Sequence, residues 1–319
     1  MSKRKLHIGG NEPHPDWEIL NINDGPHVDH CIDLRDLSSF EDDTFSEIYA
    51  SHTLEHFDYQ EELILVLADL YRILTPGGKL YASVPDMDSL CSLFTSKNIS
   101  FQERYLIMRM IFGGHVDEYD YHLTGLNQEL LEFYLEISGF INFKKVENFN
   151  LFSDASSLCI KGQPISINII SEKPQSTDQL NENYENIFNT AIEYHQQGEI
   201  DLARMVYQSI LQKYPEHADA LHLLGVLTSQ AGLFEQGKEL IQRAIEIYPD
   251  NPVFYNNLGT IYFQNGYYTE AVDAFENTIR LNPHHVESYK QLESCFKELG
   301  MQDEANEINK KIEKINSDN

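Results

Sequence analysis

The sequence predicts an α/β front half, with a mostly parallel sheet closed by an antiparallel terminal pair, followed by an all-α solenoid. Three observations carry this. Over residues 1–174, short apolar runs alternate with helical stretches, and strand–helix–strand order implies parallel pairing through right-handed crossovers. From residue 184 onward, Pro215, Pro249 and Pro283 recur every 34 residues, as do Gly198, Gly232, Gly266 and Gly300. The chain has 319 residues, 41% apolar and 23% charged, which suits two packed domains rather than disorder.

The front half reads in order as strands at Lys5–Ile8, Glu18–Ile22, His30–Ile32, Glu47–Ala50 and Lys79–Val84. A helix is predicted from Tyr59 to Leu74, with Asp58 as its cap, Arg72 near its negative end, and Leu63, Leu67, Leu70 and Leu74 as its apolar stripe. Pro76-Gly77-Gly78 turns the chain into the next strand. Helices follow at Met87–Ser96, Ser100–Ile111 and Asn127–Ile137. Phe143–Phe149 and Ile165–Ile170 are the closing strands.

The back half lays out as four units, 184–217, 218–251, 252–285 and 286–319, after a linker at 175–183. In the third unit Tyr255, Leu258, Ile261 and Tyr262 recur at helical spacing, and Gly266 is a stop. Ala271, Ala274, Phe275 and Ile279 form a second stripe, ended by Asn282-Pro283. A 34-residue helix–turn–helix period resembles the tetratricopeptide repeat (TPR). The fourth unit lacks the proline and has Asn309 where its neighbours have Tyr207, Ile241 and Phe275, as a terminal cap would. The resemblance implies a concave face for a protein or peptide partner, with Asn189, His222, Asn256, Asn257, Gln264 and Lys290 placed on it. Only Asn257 and Lys290 approximate the family's carboxylate clamp, so no clamp is assigned.

The stretch from Phe40 to Asp86 carries Ser51, His52, Leu54, Glu55, His56, Arg72, Leu74, Pro76, Gly77, Gly78 and Leu80 at characteristic spacings. It resembles the methyltransferase type 11 group of class I, Rossmann-like methyltransferases, and the likeness covers residues 1–174. It implies S-adenosyl-L-methionine as cofactor and, as methyl acceptor, a hydroxyl or amine on a sugar, metabolite or protein. Gly9 and Gly10 correspond to residues that approach the methionine moiety. Asn23 or Asp24 corresponds to the acid for the ribose, Asp33 and Leu34 to the adenine pair, and Ser51 and His52 to the wall beneath the sulfonium. In the polar cluster Gly113–His122, His122 with Asp120 as orienter is the leading candidate for a general base, and His56 is the second.

Other patterns weigh less. His52 to His56 formally reads H-x-x-E-H, a zinc peptidase signature, but it follows a strand directly, and no metal ligands are assigned. Asp86-Met87-Asp88 reads as a turn and helix cap rather than a sugar-transferase motif. The cofactor loop is reduced to Gly9-Gly10, so the alternative to an enzyme is a non-catalytic TPR adaptor with a degenerate methyltransferase-like domain. The formal charge is −28, with 13 basic against 30 acidic residues before 184 and 10 against 21 from there on. That surplus argues against nucleic-acid or membrane-surface binding. Cys31, Cys91, Cys159 and Cys295 lie far apart, without CxxC spacing, which suits a reducing cytoplasm.

Overall fold

The computed structural model describes residues 4–317. The chain divides into two compact units, Met1–Ile187 and Phe188–Asn319.

The first unit is built on a seven-stranded sheet. Its strands are β1 (Arg4–Ile8), β2 (Glu18–Asn21), β3 (His30–Cys31), β4 (Phe45–Ser51), β5 (Leu74–Pro85), β6 (Ile141–Val146) and β9 (Ser166–Glu172), in the order β3-β2-β1-β4-β5-β9-β6. The first five pair in parallel, and β9 runs antiparallel between β5 and β6. The short strands β7 (Cys159–Ile160) and β8 (Gln163–Pro164) form a separate hairpin. Central strands read as apolar runs because both faces are covered: Phe45, Ile48, Tyr49 and Ala50 on β4 are all buried.

Helix α1 (Glu62–Ile73) covers one face with Leu63, Leu67 and Leu70, as its stripe predicts. It starts later than expected. Asp58 does not cap it; the Asp58 carboxylate accepts from Gln60 N (2.9 Å), and Asp58 O accepts from Leu63 N (3.0 Å). Arg72 does more than meet a helix end. Its guanidinium donates to the carbonyls of Phe40 (2.8 Å) and Leu37 (2.9 Å), clamping the loop that leads into β4. Three caps match their sequence signals. Asp86 caps α2 (Met87–Thr95), Ser100 and Glu103 form a capping box on α3 (Phe101–Phe112), and Asn127 caps α4 (Gln128–Ile137).

The second unit is all helical, and the helix that leads into it starts before its first residue. Helix α5 (Thr177–Gln197) begins inside the stretch expected as a linker, so residues 177–183 are helical. After it come α6 (Ile200–Lys213), α7 (Ala218–Gln230), α8 (Phe234–Ile247), α9 (Pro252–Gln264), α10 (Tyr268–Leu281), α11 (Val286–Glu298) and α12 (Gln302–Ser317). The glycine column has one cause: Gly198, Gly232, Gly266 and Gly300 all take φ between 75° and 86°, the left-handed stop after each first helix. Gly259 lets α9 meet Phe275 of α10, where a β-carbon would stand 2.8 Å from the ring. In α12, Ala305, Ile308 and Ile312 are buried while Asn309 is exposed.

Candidate functional site

Parallel strands release their chains at one edge, and the loops there enclose a crevice. A cavity of about 380 Å³ opens over the ends of β1 to β4, within the range of small-molecule sites. Its walls include Gly9 after β1, Asn21 at the end of β2, Asp33 and Leu34 after β3, and His52 and His56 after β4. His14 and Pro15 do not fill it; they line a separate recess with Trp17 and His27.

The first loop is tight. Gly9 has φ 74°, and a β-carbon on it would meet Thr53 Oγ1 at 3.3 Å. Gly10 lies outside the crevice lining and covers the His7 ring, 2.6 Å from where its β-carbon would be. The end of β2 differs from expectation. Asn21, not Asn23 or Asp24, lines the cavity, and its Nδ2 donates to Gly10 O (3.2 Å). Asn21 Oδ1 accepts from Asn23 N (3.0 Å) and Asp24 Oδ1 from Gly25 N (2.9 Å), which folds both residues into a turn. Asp33 reaches the cavity with its carboxylate half-exposed and held by Arg35 N (2.9 Å). Ser51 ends β4 and lies outside the lining.

The H-x-x-E-H pentapeptide is not helical. His52 adopts φ 50°, and a 3₁₀ turn at Leu54–His56 follows. This leaves His52 and His56 on the crevice and drives Glu55 inward to 1% exposure. His52 hydrogen-bonds Ser166 Oγ through Nε2 (2.8 Å). Glu55 O accepts from Leu123 N (2.8 Å) and Thr124 N (3.1 Å), docking the distant polar loop onto the turn. That loop brings in His122, whose ring meets the His56 ring edge to face at 4.8 Å.

Glu55 is the residue that sequence reasoning missed. Neither carboxylate oxygen has a hydrogen-bond partner. His52 Nδ1 lies 3.5 Å away and His122 Nε2 3.8 Å away. Burial pushes the Glu55 carboxyl up to about 8 and holds His52 and His122 down to about 4. Asp120, the expected orienter, instead accepts from Val116 N (3.2 Å) and stabilises its own loop. The charge of Asp120 still acts on His122, and Glu55 is a second carboxylate near the ring, 3.8 Å from Nε2. The sequence marks Glu55 only as a member of the Ser51–His56 motif, which does not announce burial.

Sheet order defines an α/β domain with an open crevice at its strand tips, followed along the chain by helical repeats. Residues 19–82 match the methyltransferase type 11 family, described as a methyltransferase domain. Residues 194–259 and 252–285 match two tetratricopeptide repeat families. The chain therefore carries a methyltransferase domain followed by TPR repeats. No curated protein matches it. Among solved structures it is similar to a crystal structure of MamA at 23% identity and TM-score 0.41, over 43% of this chain and 80% of that one. A MamA fragment from Desulfovibrio magneticus RS-1 aligns at 16% identity and TM-score 0.40, over 42% and 76%. A mutant O-GlcNAc transferase from Thermobaculum terrenum aligns at 22% identity and TM-score 0.34, over 35% and 22%.

Proposed function

We propose that the N-terminal domain transfers a methyl group from S-adenosylmethionine to a hydroxyl or amine of a sugar, metabolite or protein, in the cytoplasm, and that the repeats recruit a protein or peptide partner. The observation that carries this is the open crevice at the tips of β1 to β4, with Gly9 at its floor where a side chain would crowd Thr53. Asp33 offers carboxylate oxygens to an amino or hydroxyl edge, and Leu34 offers an apolar surface to a flat base. Asn21, with Asn23 and Asp24 in the turn beyond it, supplies the polar rim at the second strand. His52 lines the crevice with Gly9 as the wall near the reacting centre, and Ser51 and Gly10 support that wall from outside the lining.

The cofactor supplies a methyl carbon made electrophilic by a sulfonium. When bound beside Gly9, Asp33, Leu34 and His52, it would give that carbon to an acceptor lone pair, with the carbon–sulfur electron pair left on sulfur. The acceptor's proton passes to an imidazole nitrogen of the His56–His122 pair, in which His56 lines the crevice and His122 packs against it from outside the lining, with Glu55 behind; Asp120 contributes by shaping the loop that presents His122. His56 faces the crevice, and its Nδ1 hydrogen-bonds Tyr121 O (3.0 Å), which fixes the ring. Holding acceptor and donor in line supplies much of the acceleration.

Calorimetry on the full chain tests this. The cofactor and its demethylated product are expected to bind, and Asp33→Ala to weaken binding tenfold or more. No binding at millimolar ligand would assign the chain to the adaptor reading. Labelled cofactor incubated with lysate split into protein, glycan and small-molecule pools identifies the acceptor class.

A further inference from the structure

The corner behind the crevice has the composition of a metal site. We propose that Glu55, His56 and His122 bind one divalent first-row transition ion, with zinc as the reference. One oxygen of Glu55 and one nitrogen of each histidine lie within 4.8 Å of one another. Two imidazoles and one carboxylate are the donor set such ions prefer. Bonds of about 2.0–2.2 Å require those atoms to close in by roughly an ångström, a side-chain adjustment.

Two independent observations point the same way. Glu55 is buried, neither of its carboxylate oxygens has a hydrogen-bond partner, and His52 Nδ1 and His122 Nε2 stand off at 3.5 and 3.8 Å. A cation there would offset the desolvation cost of the ionised carboxylate. His56 is also held as a ligating histidine is. It is tied through Nδ1 to Tyr121 O (3.0 Å), leaving Nε2 free. Such an outer bond orients a ligand ring and sets its tautomer. The His122 ring packs edge to face on the His56 ring at 4.8 Å, with Nε2 3.8 Å from Glu55 Oε1.

Three protein ligands leave a position open on the His56 side, toward the crevice. An acceptor hydroxyl bound there loses its proton more easily, because the ion stabilises the oxyanion. That role rests on the methyl-transfer reading; the metal site does not.

The full chain, stripped with chelator, is titrated with Co²⁺ and Zn²⁺ in the absence of cofactor. One Co²⁺ per chain is expected, with visible d–d bands that Zn²⁺ abolishes. Glu55→Gln, His56→Ala and His122→Ala are each expected to lose tenfold or more in affinity, with circular dichroism reporting that each remains folded. His14→Ala and His284→Ala are expected to bind as the parent does. No d–d bands from the parent chain at millimolar Co²⁺ would overturn the site, as would equal binding by the parent and the folded Glu55→Gln chain. Metal binding without cofactor binding would leave this site standing and remove methyl transfer; the reverse would remove only this site.

Discussion

Gly10 is determined by what lies beneath it. A β-carbon there would stand 2.6 Å from His7 Nδ1, and the His7 ring is buried and stacked on Phe152 at 3.9 Å. Neither neighbour gives way freely, so Gly10→Ala is expected to cost about 1–3 kcal/mol, the usual price of overpacking. Urea unfolding of Gly10→Ala, His7→Ala and the double variant checks this: the double variant should be more stable than the sum of the singles predicts. Strict additivity would mean that the two positions do not compete for space. The same scale shows why Glu55 escaped a sequence reading while His52, His56 and His122 did not. Histidines are singled out by type, whereas a glutamate is ordinarily solvated. Only the 3₁₀ turn and the amides of Leu123 and Thr124 bury this one, and neither is written in the local pattern.

Elements were legible where periodicity or punctuation is local. The 34-residue glycine column marks four helix ends because each needs a left-handed residue, and the α1 stripe appears because that helix faces a sheet. What depends on tertiary register was not legible. His222, Asn256 and Asn257 have the spacing of a ligand-facing surface, yet the array uses them internally. Asn256 accepts from Ser288 Oγ (2.8 Å), and Asn257 Nδ2 lies 2.8 Å from His222 Nε2, joining α9 to α7. Asn189, Gln264 and Lys290 remain exposed. The α7–α9 link is pH-sensitive. Burial, aided by the nearby charge of His195, holds His222 down to about 4, below its ordinary 6.5. The folded state therefore binds fewer protons than the unfolded one over that interval, and stability rises with pH. The contribution is complete above about 6.5 and is lost as pH falls toward 4, up to about 3 kcal/mol. His222→Gln does not titrate, so the stability gap between parent and variant, from urea unfolding, should shrink from pH 7.5 to pH 5. A constant gap would refute this account.

At the scale of the whole molecule, charge is the dominant long-range term. The formal charge is −28, and acidic residues outnumber basic ones in both halves of the sequence. The ion pairs cannot offset this. Most are exposed or half-exposed, as with Arg35–Asp33 (3.4 Å) and Lys290–Glu287 (3.4 Å), and such pairs contribute about 0–1 kcal/mol each. Added salt weakens both effects, but it acts on 51 acidic groups facing only 23 basic ones, so the relief of repulsion is larger. Raising NaCl from about 0.01 M to 0.15 M shortens the screening length from about 30 Å to about 8 Å. Thermal unfolding at pH 7.5 should then move upward by about 2–4 °C, the shift expected for roughly 1 kcal/mol in a domain of this size. Chloride and acetate should give the same shift at equal ionic strength, because screening does not distinguish anions. A midpoint that stays level or falls with salt would mean that local pairing, rather than the summed field, sets the electrostatic stability of this chain.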